Sequence, residues 1–351
     1  MIINYKLEPM SRPMASIERA NGNEYEGDDA TGREPVQSEL RPRQDKLDFD
    51  LAAVCRAVFT LHAKIPSDAF TAETLGVQRE GNAILIRDDG VALTIGYLVT
   101  EATTVSLIDS MGEAKAAEVI GYDQATGFGL VRLREPVDAK PIPLGIASEL
   151  HTGADVTVVA GGGPNYAMAA RLLSKREFAG YWEYLLDEAF FTAPLHPHWS
   201  GAALLSSAGD LVGLGSLYVQ DVLPAENSPA GNMFVPTDQL AAIIDNLVEK
   251  GNTGRPARPW LGMFVTEADG ALVIAGMVDS GPAARSNLRL GDNILGVEGS
   301  DVSDLSEFYR AIWERGPAGV SIRLNVLRDG RLRDISVRTA DRNSYLKNMP
   351  G

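Results

Sequence analysis

The stretch from Thr192 to Gly215, TAPLHPHWSGAALLSSAGDLVGLG, decides how the rest of the chain is read. A tight polar turn holds Ser200-Gly201, an apolar run follows, Ala208-Gly209-Asp210 reverses the chain, and a second apolar run leads away. Apolar and small residues alternating on both sides of a Gly-containing turn predict a hairpin in a packed barrel, with a serine displayed at its mouth. The same signature recurs upstream. NAILIRDDGVALTI is two apolar runs around Asp89-Gly90, and TTVSLID, AAEVIGYD, FGLVRL and DVTVVAGGG follow it. RLLSKREF and YWEYLLDEAFFTA lead into the serine hairpin, and Gly231 to Val235 reads as a further strand. Thr237 to Lys250 has the apolar spacing of an amphipathic helix stopped by Gly251. Many short strands closed by one helix predict an all-β barrel domain. The triple glycine Gly161-Gly162-Gly163 reads as a turn, because no Lys-Ser pair or capped helix follows to make it a phosphate loop.

Outward from the barrel the composition changes. Residues 1–48 are polar and nearly free of large apolar groups, so the expectation there is a disordered tail. Leu51, Val54, Val58 and Leu61 stand at helical spacing behind Asp50, which predicts a capped helix over Asp48–Lys64. GNTGRPARP at 251–259 reads as a linker. Residues 260–340 contain the strand patterns WLGMFV, ALVIAGMV, NILGVEG, VSIRLNVLRDG and RLRDISVRTA, with one helix, DLSEFYRAIWER, capped by Asp304 with Glu307 three residues on. The expected organisation is a tail at 1–48, a barrel domain at 49–250, a linker at 251–259, a small α+β domain at 260–340 and a loose end at 341–351.

With 351 residues the chain can build two cores. A net charge of −15 argues against nucleic acid as a partner, since phosphate binding needs a basic surface. The single Cys55 excludes an intrachain disulfide, and its apolar helical setting predicts a buried, inert thiol. No apolar run near the start resembles a secretory signal, and no segment has the roughly 18 apolar residues of a membrane helix, so a cytoplasmic protein without a membrane span is expected. His196-x-His198 has no Asp, Glu or Cys in its loop, and the reading is surface imidazoles, with no metal and no cofactor.

These patterns together resemble the HtrA (Deg) family, trypsin-fold serine proteases with a C-terminal PDZ domain. Trp260-Leu261-Gly262-Met263 looks like the family's Tyr-Leu-Gly-Val loop, which receives a peptide's terminal carboxylate. Pro282-Ala283-Ala284 and the run Leu288 to Leu295, LRLGDNIL, look like its Ser-Pro-Ala-Ala and Gly-Asp-x-Ile motifs. The resemblance implies a mainly β chain, a trypsin-like double β-barrel followed by a small PDZ domain. It also implies peptide segments or protein C-termini as partners, a homo-oligomer (trimers in the family) or a hetero-oligomer with an active paralogue, and a periplasmic location.

The resemblance breaks where the chemistry lies. Five positions that read Gly-Asn-Ser-Gly-Gly in the family are His198, Trp199, Ser200, Gly201 and Ala202 here. In place of the family's Leu-Thr-Asn-Asn-His-Val-Val stands Leu93-Thr94-Ile95-Gly96-Tyr97-Leu98-Val99, which puts Tyr97 at the histidine. The stretch after Asp123 puts Gly127 at the aspartate. A serine nucleophile needs a base and a group that orients the base. A phenol with an ordinary pKa near 10 is a poor base at neutral pH. The oxyanion-hole donors would be the N–H groups of Ser200 and His198, and His198 is expected to resist the positive φ that glycine tolerates there. The expectation is a pseudoprotease that binds peptides or proteins through the PDZ groove and the relic cleft. The alternative is an active endopeptidase, serving protein quality control, that uses Ser200 with a rearranged base.

Overall fold

The computed structural model describes residues 33–225 and 227–347, and within them the chain forms two compact units. The first runs from the start of the described residues to Arg176 and resumes over Glu188–Thr253. The second combines Glu177–Asp187 with Gly254–Leu346.

The first unit contains two closed six-stranded barrels. β1 (Val58–Lys64), β2 (Gln78–Leu85), β3 (Val91–Ile95), β4 (Thr104–Ile108), β5 (Ala114–Tyr122) and β6 (Phe128–Leu133) are ordered β1-β2-β3-β6-β5-β4, and β4 pairs back onto β1. β7 (Asp155–Val159), β8 (Ala167–Gly180), β9 (Tyr184–Ala193), β10 (Ala203–Leu205), β11 (Leu211–Val219) and β12 (Gly231–Pro236) are ordered β10-β11-β12-β9-β8-β7, closed by the β7–β10 pair. Closure leaves no unpaired edge, which is how a chain of short strands avoids pairing with its neighbours. Residues Leu204, Val158, Met168, Phe190 and Phe234 meet inside the second barrel.

The second unit is a sheet of β13 (Met263–Ala268), β14 (Ala271–Met277), β15 (Asn293–Val297), β16 (Ser300–Asp301), β17 (Ser321–Arg328) and β18 (Arg331–Arg338), ordered β13-β14-β15-β17-β18 with β16 beside β15. A helix over Leu305–Trp313 buries Leu305, Phe308, Tyr309 and Ile312, the i, i+3, i+4, i+7 stripe of one face. Its start matches the sequence reading. The Asp304 carboxylate accepts from Glu307 N at 2.8 Å, and the Glu307 carboxylate accepts from Ser303 N at 2.9 Å.

Several expectations are corrected. The helix over Asp48–Lys64 ends after one turn, Leu51–Cys55, although Asp50 caps it as expected through Ala53 N at 3.1 Å. Val58, Phe59, Thr60 and Leu61 instead enter β1 with both faces buried. A fully buried run carries no period of its own, and the β-branched and aromatic residues favour the strand. Thr237–Lys250 is likewise two short helices, Asp238–Ala241 and Ile244–Lys250, the second closed by Gly251 at φ 75°.

The tail expected over 1–48 is packed over its described part, 33–48. Val36 is buried in the second barrel's core, and Arg41 Nε donates to Val36 O at 2.7 Å. Arg33 buries its guanidinium against Glu80, Asn82 Oδ1 (3.0 Å) and Gly81 O (2.9 Å). Hydrogen bonds of arginine hold this segment, and hydropathy does not register them. Beyond the barrels, Ala257 O of the expected linker accepts from Ala318 N at 2.8 Å, and Arg258 lies over the Trp313 ring. In the end expected to be loose, Arg342–Tyr345 forms a 3-10 turn and Tyr345 packs edge-on against Trp260 at 4.9 Å. Cys55 is buried as expected, which pushes its thiol up to about 12.

Candidate functional site

Ser200 stands in the turn before β10, and Tyr97 sits on the short helix Gly96–Val99 that follows β3. The two hydroxyl oxygens are 2.8 Å apart. Tyr97 Oη also donates to Ser216 O of β11 at 2.8 Å. A phenol has one proton to give. With that proton on Ser216 O, the Ser200 hydroxyl is the donor to Tyr97. Burial raises the Tyr97 pKa well above the ordinary phenol range, and the Ser200 hydrogen bond only partly opposes it. The pair therefore forms a relay that keeps the proton on Ser200 and ends at a backbone carbonyl.

Gly127, which the sequence reading puts at the orienting position, has φ 80°, and its carbonyl accepts from Gly96 N at 2.6 Å. The nearest acid in sequence, Asp123, spends its carboxylate on Thr126 N (2.9 Å) and Thr126 Oγ1 (2.7 Å). Neither position supplies a carboxylate to Tyr97.

The oxyanion-hole expectation is changed in its cause. Positive φ falls at Gly201 (φ 73°), where a Cβ would lie 2.3 Å from Asn82 O, and His198 is not among the residues with positive φ. The His198 N–H instead turns inward and donates to His196 Nδ1 at 3.0 Å. His196 is fully buried, not a surface imidazole. Its Nε2 lies 3.0 Å from Tyr166 O, and burial holds its pKa down at about 4, so the ring is neutral with Nε2 carrying the proton. The His198 ring turns its Nε2 to Glu34 O at 2.8 Å. Among the described residues no group of three or more His, Cys, Asp or Glu has the arrangement of a metal site.

A residue that sequence reading passed over organises this turn. Asn82, fully buried on β2, donates from N and Nδ2 to Ser200 O at 2.8 Å each, and from Nδ2 to His198 O at 2.9 Å. Its Oδ1 accepts from Gly161 N and Arg33 Nη1. One amide thus fixes the serine turn, the β7 end and residue 33 together. Its only signal in the sequence is a polar residue inside the apolar run NAILI.

In the second unit, Trp260 N donates to Ala340 O at 3.0 Å, so the free donors of the expected carboxylate loop begin at Leu261. Leu261 N (3.0 Å), Gly262 N (2.7 Å) and Met263 N (3.2 Å) converge on the carboxylate of Glu183. Gly262 has φ 72°, and a Cβ there would meet the Trp260 ring and Pro282 at 3.0–3.2 Å, so glycine is required. Burial raises the Glu183 pKa to about 7, against the three N–H groups and Arg342, which pull it down. Glu183 was not among the residues singled out from sequence. Its signal is a lone acid in the aromatic tip Tyr181-Trp182-Glu183-Tyr184.

Comparison with known proteins agrees with this fold. Residues 81–214 match the trypsin-like peptidase domain, and residues 259–339 match the PDZ domain. The chain is 27% identical over 303 residues to Protease Do-like 1, chloroplastic, of Arabidopsis thaliana, covering 80% of this chain and 68% of the relative. It is 26% identical over 279 residues to a probable periplasmic serine endoprotease DegP-like of Halomonas elongata, covering 74% and 56%. Among solved structures, the HtrA-type protease AlgW with decapeptide superposes with a TM-score of 0.50 at 20% identity, over 86% of this chain and 98% of the other. Relatives thus include periplasmic proteins, and no helix among the described residues is long and apolar enough to cross a membrane.

Proposed function

We propose that this chain, which belongs to the HtrA-type family of trypsin-like peptidases carrying a PDZ domain, is a pseudoprotease that binds peptide segments or protein C-termini without cleaving them. The observation that carries this reading is the Tyr97–Ser200 pair. General-base activation of a serine requires an acceptor that takes its proton as the hydroxyl attacks. Here the acceptor is a partly buried phenol whose own hydrogen bond is committed to Ser216 O. Two further observations support it. Gly127 supplies no orienting carboxylate, and the His198 N–H is spent on His196 instead of facing the cleft. In this reading binding is the work of the PDZ domain, whose carboxylate loop keeps three converging amides.

The test is labelling of the purified protein by a fluorophosphonate probe, with Ser200→Ala as control. Folded protein that takes up no probe is the expected result. Labelling that disappears in the Ser200→Ala variant would mean an activated serine and would overturn the reading.

A further inference from the structure

The turn Tyr181–Glu183 joins β8 to β9 and belongs, with residues 177–187, to the second unit. It is a three-residue hairpin loop whose last residue, Glu183, has φ 59°. Glycine is the ordinary choice at that position of such a loop, and a side chain there is strained. The turn itself therefore gives no reason for glutamate. The reason lies at the carboxylate, which takes the N–H groups of Leu261, Gly262 and Met263.

Three more contacts accompany it. Tyr181 O accepts from Val265 N of β13 at 3.0 Å, the backbone bond an added strand would make. Leu185 is buried in one apolar cluster with Leu261, Met263 and Ile312. Tyr309 of the helix Leu305–Trp313 donates to Gly180 O at 2.8 Å and accepts from Glu183 N at 3.3 Å. One carboxylate on the loop, one strand-type bond and one apolar side chain are what the end of a peptide brings to a groove of this kind.

We propose that residues 177–187 are a built-in occupant of the PDZ groove: Glu183 stands in for a terminal carboxylate, and a free C-terminus enters only by displacing the hairpin tip. This rests on the peptide-binding reading above and adds its regulation. A ligand tethered on the same chain competes at a millimolar-scale effective concentration, so weak peptides are excluded and the groove selects for tight or multivalent partners. The displacing ligand is a chain terminus with a free carboxylate and an apolar last side chain.

The experiment is fluorescence anisotropy on the full chain, using a fluorescein-labelled hexapeptide ending in Phe-Leu with a free carboxylate, and its C-terminal amide. Glu183→Gly removes the carboxylate at a φ that glycine accepts. The expected result is at least tenfold tighter binding of the acid peptide to the variant than to the wild type, with no gain for the amide. Equal affinity for wild type and variant overturns the occupant and leaves the peptide groove standing. Absence of binding in both, with circular dichroism showing folded protein, removes the groove reading and the occupant with it. Hydrogen exchange on the wild type decides independently of the variant. Slow exchange at the Leu261, Gly262 and Met263 amides is expected, and free exchange there overturns the proposal.

Discussion

The serine turn and the carboxylate loop are both places where a trypsin-like peptidase with a PDZ domain would meet another molecule, and each meets a residue of this same chain. They differ in what remains. At the serine turn the parts are redirected: Tyr97 donates its hydrogen bond to Ser216 O, and the His198 N–H points at His196. At the loop the donors keep their convergence, and only the acceptor, Glu183, is unexpected. Redirected donors cannot be recovered by removing a competitor, whereas a filled loop can be emptied. The two sites should therefore respond in opposite ways to simple substitutions.

The largest effect concerns repair of the serine site. The double variant Tyr97→His, Gly127→Asp restores the named partners but leaves the His198 N–H committed inward. Loss of one oxyanion donor alone costs about 100- to 1000-fold. Casein cleavage by the repaired variant should stay at least about 100-fold below that of an active trypsin-like peptidase. Cleavage approaching the active enzyme would erase the distinction drawn between the sites.

Next is the pH response of the loop. The buried Glu183 carboxyl titrates at about 7, against 4.5 for an ordinary one. The docked state therefore binds more protons between these values, and stability falls as pH rises through that window. Glu183 adds most below about pH 4.5, loses ground up to about pH 7 and changes little above it. Arg342, which lowers the Glu183 pKa, and the Tyr309 hydroxyl, which takes the Glu183 N–H, face the same site, and Arg342 moderates the effect without reversing it. Urea unfolding at pH 5 and pH 8 should show wild type losing stability relative to Glu183→Gln on going to the higher pH. A constant difference would mean the loop does not sense the charge of its occupant.

The smallest effect is on the relay. Tyr97→Phe removes two hydrogen bonds and leaves Ser216 O without its donor. A buried group left unpaired costs about 1–3 kcal/mol. Thermal unfolding should report a loss of that size with probe labelling still absent. Gain of labelling in this variant would show that the phenol restrains a competent serine.

Much of the architecture was legible because it rests on local signals. Asp89-Gly90, Ala208-Gly209-Asp210, the Asp304 cap and the Gly251 stop each fix a turn or an end through the few residues around them. The reading that puts Tyr97 and Gly127 at the base and orienting positions rests on equally local signals, since both are single letters in recognisable strings. What stayed hidden depends on partners distant in sequence. Val58–Leu61 has a helical spacing that only barrel closure overrules. Arg33 is one charged residue in a polar segment until Glu80, Gly81 and Asn82 surround it. Asn82 and Glu183 are polar residues among apolar ones, and their meaning lies more than 70 residues away, at His198 and Gly262.

The membership of residues 177–187 in the second unit bears on how this protein can be taken apart. A single cut in the stretch 251–259 does not yield two complete modules. A PDZ fragment beginning there lacks Leu185 from its core and leaves three loop amides unmatched. A barrel fragment ending there carries Phe178, Leu185 and Tyr184, buried in the intact chain, onto a bare hairpin. Exchanging this PDZ domain for that of a relative means exchanging the hairpin tip with it, so recombination at the linker alone produces two sticky halves.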